Sequence, residues 1–215
     1  MKICPYVQQV RALLEQKQVS YEVEHIDGAN RPAWLMEASP DGGEVPLVFT
    51  DEGEVLYQSD AIVDYIDGVY GEPLLTGDHV QKARTNAFGR LASDNYLTQC
   101  STQRSPDAET LTERLEDLKP IFAHADRMVS RGPYYGGATL NMADMSWLPV
   151  LHRTDLIRKH SGYDFLEPYP NLMRWRAAVG ETGLYQSSVP SDFEEVFNGF
   201  YLNDETYLGR LGPSG

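Results

Sequence analysis

The chain carries only two cysteines, Cys4 and Cys100, 96 positions apart. Two distant cysteines exclude the disulfide framework that staples small secreted folds. Histidines are scattered at His25, His79, His124, His152 and His160, and no Cys/His spacing matches a metal site. No apolar run approaches the ~18 residues that a membrane span needs. No basic-then-apolar opening reads as a secretion signal. The expectations are therefore no metal, no membrane, and a reducing, cytoplasmic location. Basic residues are scarce, 18 against 32 acidic ones, for a net charge of −14. Phosphate backbones demand a basic face, so nucleic acid is excluded as a partner. Phosphate-cradling loops, Ser/His/Asp arrangements, internal repeats and low-complexity tracts are missing as well.

What is present is an ordinary globular composition, 41% hydrophobic and 23% charged over 215 residues. That length holds one large domain or two small ones with a core. The opening stretch, Met1 to Arg11, organises the rest. Cys4 stands before Pro5, and Val7, Val10, Leu13 and Leu14 then recur at helical spacing. Proline suits a first helical position, where its missing N–H would be unpaired anyway. Cys4 is thus expected at a helix N-terminus, facing unpaired N–H groups and the positive end of the macrodipole. That setting favours the thiolate, which is the nucleophile. The alternative is a small apolar filler.

Tyr21 to Ile26 reads as a strand, and Pro32 to Ala38 as a short helical or irregular connector. Ser39 to Gly43 is a turn cluster. Val45 to Thr50 and Glu54 to Tyr57, joined at Asp51-Glu52-Gly53, predict a β-hairpin. Pro46 opens its first strand, where a cis bond would expose the backbone of Val45. Ser59 reads as the N-cap of a helix running through Ile62 and Ile66. Its start would present N–H groups of the kind that bind carboxylates.

From Glu72 to Asp78 the pattern breaks, and no strand signal follows. Val80 to Cys100 predicts one long helix, and Asp107 to Val129 another with a kink or break at Pro120. Arg131 to Gly137 is a loop. Asn141-Met142-Ala143-Asp144 is a variant capping box that starts a buried helix with Trp147, Leu148 and Leu151, kinked at Pro149. Tyr169 opens a last core helix with Leu172 and Trp175. An acidic, aromatic-rich tail follows from Pro190, loose from Gly209 to Gly215.

The order of these pieces resembles a cytosolic glutathione transferase. It has the Cys-Pro-Tyr helix start, the Val-Pro strand, the Ser-Asp-Ala-Ile helix start, the Asn-Met-Ala-Asp box and an all-helical second half. The Cys-Pro-Tyr-Val-Gln opening is most similar to the omega-type and related bacterial branches, which use cysteine. The resemblance implies an α/β thioredoxin-like N-terminal domain over residues 1–71, its first strand apparently truncated because only three residues precede Cys4. A linker at 72–79 and an all-α bundle domain at 80–215, carrying the acceptor pocket, would follow. It also implies glutathione as cosubstrate, a small-molecule electrophile or disulfide as partner, and a homodimer.

Carried over by position, Cys4 would be the catalytic thiol that forms a mixed disulfide with glutathione. Val45, before Pro46, would pair its backbone with the cysteinyl part. Gln58 and Ser59 would hold the γ-glutamyl end, and Asp60 would assist with the ammonium group. Glu44 stands where related cysteine-type sequences usually carry Lys, and would repel the glycine carboxylate by about 1 kcal/mol if exposed. The leading expectation is a thiol transferase or reductase using one cysteine. The rivals are glutathione conjugation or thiolytic cleavage, with Tyr96, Trp147 or Tyr201 lining an acceptor pocket, and a non-catalytic binding module. Cys100 is an alternative thiol, or a filler.

Overall fold

In the first helix, α1 (Pro5–Gln16), Pro5 sits at the first position and the apolar stripe Val10, Leu13 and Leu14 is buried. Full burial of a side chain such as Leu13 contributes about 2 kcal/mol. The computed structural model describes residues 1–40, 42–129 and 132–212. After α1 come α2 (Ala33–Ala38), β1 (Leu47–Phe49), β2 (Val55–Tyr57) and α3 (Ser59–Val69). The two strands pair antiparallel, Val48 opposite Leu56, and form a two-stranded sheet. This half is a thioredoxin-like domain with a small sheet, and the rest is helical. Its helices are α4 (His79–Ser93), α5 (Tyr96–Gln103), α6 (Ala108–Met128), α7 (Met142–Ser161), α8 (Pro170–Gly180), α9 (Leu184–Ser187), α10 (Phe193–Tyr201) and α11 (Tyr207–Arg210).

Helix α7 is the central pillar. Its residues Met142 to Thr154 are all buried, and it packs on α1, α4 and α8. An aromatic stack joins these helices: Phe88 lies 4.2 Å from Tyr135 and 5.3 Å from Trp147, and Trp147 lies 5.6 Å from Trp175. The Asn141–Asp144 capping box forms at its start as the sequence predicts.

Several expectations are corrected. Tyr21 to Ile26 forms no strand, because a strand needs a neighbour to satisfy its ladder and the described sheet holds β1 and β2 alone. The helix expected from Val80 to Cys100 is two helices. They break at Asn95, whose side chain turns back to the Leu91 carbonyl at 2.9 Å and competes with helix continuation. Ser59 is not a cap. Gln58 takes the cap position and Ser59 is the first residue of α3. The break considered at Pro120 does not occur, for α6 runs on through it as α7 does through Pro149. Pro120 is exposed, so water can satisfy the carbonyl it frees.

The tail also folds. Phe193, Phe197 and Tyr201 of α10 are buried, and Thr206 caps α11. A Cβ on Gly209 would stand 2.1 Å from the Asn203 carbonyl oxygen and 2.4 Å from the Leu202 carbonyl carbon, so the tail is closely packed there. The expected looseness of Gly209 to Gly215 is therefore wrong at its start, and residues 213–215 lie outside the described residues, as do Asp41 of the turn cluster and Arg131 of the loop. Gly209→Ala is expected to destabilise the fold by about 2 kcal/mol or more, read as a lowered Tm. An unchanged Tm would contradict this packing.

Candidate functional site

Cys4 is the N-cap of α1, with extended backbone at φ −74° and ψ 125°. The N–H groups of Tyr6 and Val7 point at its sulfur and favour the thiolate. Burial opposes them, for Cys4 is only 8% exposed. Burial has the larger effect, and the thiol is pushed up from its ordinary value despite those N–H groups and the nearby Arg153 charge. The sequence expectation of a net thiolate-favouring setting is corrected accordingly: position predicts the dipole, and burial is a tertiary property.

A cavity of about 800 Å³ opens beside Cys4. Val45, Pro46, Gln58, Ser59 and Asp60 all line it, so the structure brings the six residues singled out from the sequence onto one surface. The Val45–Pro46 peptide is cis. Gln58 sits at φ +64°, a left-handed conformation that costs a non-glycine residue about 1 kcal/mol. Ser59 is buried to 7% exposure at the start of α3, where N–H groups lack helical partners. Asp60 lies 3.5 Å from Arg90 of α4, so it has a cation of its own. Glu44 is exposed on the rim.

The opposite wall comes from the helical half, where the sequence points to Tyr201 and Cys100 and misses Arg104 and Phe200. Cys100 and Arg104 face the cavity, with Phe200 and Tyr201 of α10. The Arg104 guanidinium lies 4.1 Å from the centre of the Phe200 ring. Of the aromatic residues considered for an acceptor pocket, Tyr201 lines the cavity, whereas Tyr96 and Trp147 are core side chains at 0% and 1% exposure. Tyr6 lines the cavity too, its ring edge-on to Tyr96 at 5.0 Å.

Beneath Cys4 a buried polar cluster ties α1 to α7. Gln8 Nε2 meets His152 Nδ1 at 2.8 Å, and Gln9 Nε2 donates to Ser146 Oγ at 3.1 Å. Arg153 donates to Gln8 Oε1 at 2.6 Å and to the Ile3 carbonyl at 2.9 Å. Burial and the adjacent guanidinium push His152 down to about 3, so it is neutral at pH 7. No local motif announces this cluster, because its members lie some 140 positions apart in the chain. Among the described residues no group of side chains is arranged to hold a metal ion, and no helix is long and apolar enough to cross a membrane.

Residues 3–69 match the family model of the glutathione S-transferase N-terminal domain, and residues 108–178 that of the C-terminal domain. The chain is 26% identical over 209 residues to glutathione S-transferase omega-1 of Sus scrofa, covering 95% of this chain and 85% of that protein. It is 27% identical over 178 residues to the probable glutathione S-transferase DHAR1, cytosolic, of Oryza sativa subsp. japonica, covering 82% and 79%. A glutathione S-transferase of Methylobacillus flagellatus, solved with GSH bound, superimposes with a TM-score of 0.74 at 22% identity, covering 88% and 96% of the two chains.

Proposed function

The chain belongs to the glutathione S-transferase family, and we propose that it is a glutathione-dependent thiol transferase or reductase acting through Cys4. The observation that carries this reading is the position of Cys4, at a helix N-terminus on the cavity that Val45, Gln58 and Ser59 also line. The Cys4 thiolate attacks the sulfur of a glutathione mixed disulfide. A Cys4–glutathione disulfide forms and the substrate thiolate leaves. A glutathione thiolate then attacks that disulfide, releasing oxidised glutathione and restoring Cys4. One protein cysteine suffices for both steps.

In this reading the Val45 backbone pairs with the cysteinyl part of glutathione. Gln58 and the free N–H groups at the start of α3, with Ser59, take the γ-glutamyl carboxylate. Asp60 attends the ammonium group while sharing Arg90. The glutathione-binding domain spans residues 1–71, a linker 72–79, and the helical domain 80–215. A homodimer in a reducing compartment, with a small electrophile or disulfide as the second substrate, completes the proposal. Conjugation is the second reading, and the aromatic wall of Tyr6, Phe200 and Tyr201 favours it.

Calorimetric titration with reduced glutathione, followed by assay with a glutathione mixed disulfide, tests the proposal. Saturable binding and turnover are expected. No binding by the folded protein would overturn it in favour of a non-catalytic module. Faster turnover of an aryl halide than of disulfides would favour conjugation. Glu44 supplies a further check. Glu44→Lys exchanges a repulsive for an attractive charge near the glycine carboxylate, a change of about 2 kcal/mol, and is expected to tighten glutathione binding roughly thirtyfold at low salt, an effect that shrinks with added salt. Unchanged affinity would place that carboxylate elsewhere.

A further inference from the structure

Among the described residues, the buried cations Lys17 and Arg176 are paired with carboxylates, and Arg153 is not. Lys17 lies 2.7 Å from Asp67, and Arg176 donates twice to Asp164 at 2.7 Å. Arg153 is fully buried, yet among the described residues no carboxylate lies within 4.0 Å of it. Its hydrogen bonds go to neutral oxygens: Gln8 Oε1 at 2.6 Å, the Pro149 carbonyl at 3.0 Å and the Ile3 carbonyl at 2.9 Å. Its Nε has no partner. The remaining flank meets the Phe193 ring, 5.8 Å away. An unpaired buried charge is expensive, and an anion formed beside it would offset part of that cost.

The Arg153 charge acts on Cys4, on Tyr96 of α5, on His152 beside it on α7 and on Tyr201 of α10. Burial pushes both tyrosines up, so they stay neutral, and His152 is neutral as well. The cavity beside Cys4 is also lined by Met1, Tyr6, Cys100 and Tyr201, and by the charged side chains of Asp60, Asp94 and Arg104. Of all these, Cys4 is the group whose negative form the proposed chemistry requires. Arg153 also grips the carbonyl of Ile3, the residue before it.

We infer that Arg153 is the positioning cation of Cys4: through the Ile3 carbonyl it fixes the sulfur at the start of α1, and its guanidinium is the counter-charge of the thiolate. This rests on the reading of Cys4 as the nucleophile. It assigns Arg153 to a ligand-free property of the site, the ionisation of one sulfur, rather than to substrate binding.

The test is the pH profile of Cys4 alkylation by iodoacetamide in a Cys100→Ser background, so that one thiol reports. Arg153→Gln is expected to move the midpoint to higher pH and slow alkylation at neutral pH by roughly tenfold or more. Arg153→Lys, which keeps the charge, is expected to recover much of that loss. A purely structural role would lower stability and leave the midpoint in place. An unmoved midpoint in Arg153→Gln overturns the inference. So does an equal shift in the Gln and Lys variants.

A second measurement needs no Arg153 variant to fold. In wild type carrying isotope-labelled arginine, the Arg153 Nε–H resonance is expected to move at the midpoint of Cys4 alkylation, and to stay still in Cys4→Ser. A resonance that ignores the Cys4 midpoint overturns the inference. Neither experiment contains glutathione. Failure to bind glutathione would therefore sink the proposed function and leave the Arg153 result readable by itself.

Discussion

Cys4→Ser is expected to abolish disulfide exchange, a fall of roughly a thousandfold or more in turnover of a glutathione mixed disulfide. A serine hydroxyl in the same place has neither the acidity nor the nucleophilicity of a thiol, and it cannot form the mixed disulfide at all. The substitution is close to isosteric and the N–H groups of Tyr6 and Val7 remain to donate to the new hydroxyl oxygen, so the fold and glutathione binding are expected to persist. Mass spectrometry after exposure to oxidised glutathione should find one adduct on the wild-type Cys4 and none at position 4 of the variant. Full activity in Cys4→Ser would end the role of Cys4 as nucleophile and turn attention to Cys100. The pH dependence has a definite sign. Burial pushes the Cys4 thiol up, so the reactive thiolate is the minor form at neutral pH, and the rate of attack is expected to climb as pH rises.

The second large effect is on stability. Asp144→Ala is expected to cost about 3 to 5 kcal/mol. The Asp144 carboxylate is fully buried and accepts from three donors: the Tyr135 N–H at 2.9 Å, the Asn141 N–H at 2.7 Å and the Trp175 indole at 2.7 Å. It thereby closes the capping box of α7, holds the loop before it and pins α8. Alanine would strand all three donors inside the protein. Chemical denaturation reads the loss as a lower midpoint. A change under about 1 kcal/mol would show that water replaces the carboxylate.

Asp144 also sets a pH trend. Burial raises its carboxyl to about 6, from 3.8 for an ordinary aspartate, even though all three donors favour the charged form. The folded chain keeps this proton where the unfolded chain has lost it. The contribution of Asp144 to stability therefore declines as pH rises from about 4 to about 6, and is level above that. Asp144→Asn has no such proton, and its stability profile should lose that part of the slope. Asp144 lies away from the cavity lining, so its perturbed carboxyl belongs to the fold and not to the chemistry.

Reading the sequence worked best where a single local pattern fixes the geometry. Cys4-Pro5 and the stripe that follows specify a helix with the cysteine at its cap, and α1 begins there. Val45 to Tyr57 reads as a hairpin, and β1 pairs with β2. Asn141 and Asp144 read as a capping box, and both of its hydrogen bonds form. It failed where the outcome depends on a distant neighbour. Tyr21 to Ile26 has strand composition and no strand to pair with. Asn95 breaks a helix that periodicity alone would continue. The aromatic-rich tail gives no element from its sequence pattern, and it folds because Phe193 stacks on the distant His152 at 5.2 Å.

By itself, then, the sequence determined the start of α1 with Cys4 as its cap, the hairpin, and the capping box of α7, because each rests on a period or a cap within about twenty residues. The tertiary structure alone decided three things. It buried Cys4 enough to oppose its helix dipole. It closed the cavity with Cys100, Phe200 and Tyr201 from the far half of the chain. It buried a guanidinium without a carboxylate against the carbonyl of Ile3, the residue before Cys4. Burial and the pairing of charges are properties of what packs against a residue, and no window along the chain contains the residue that will arrive there.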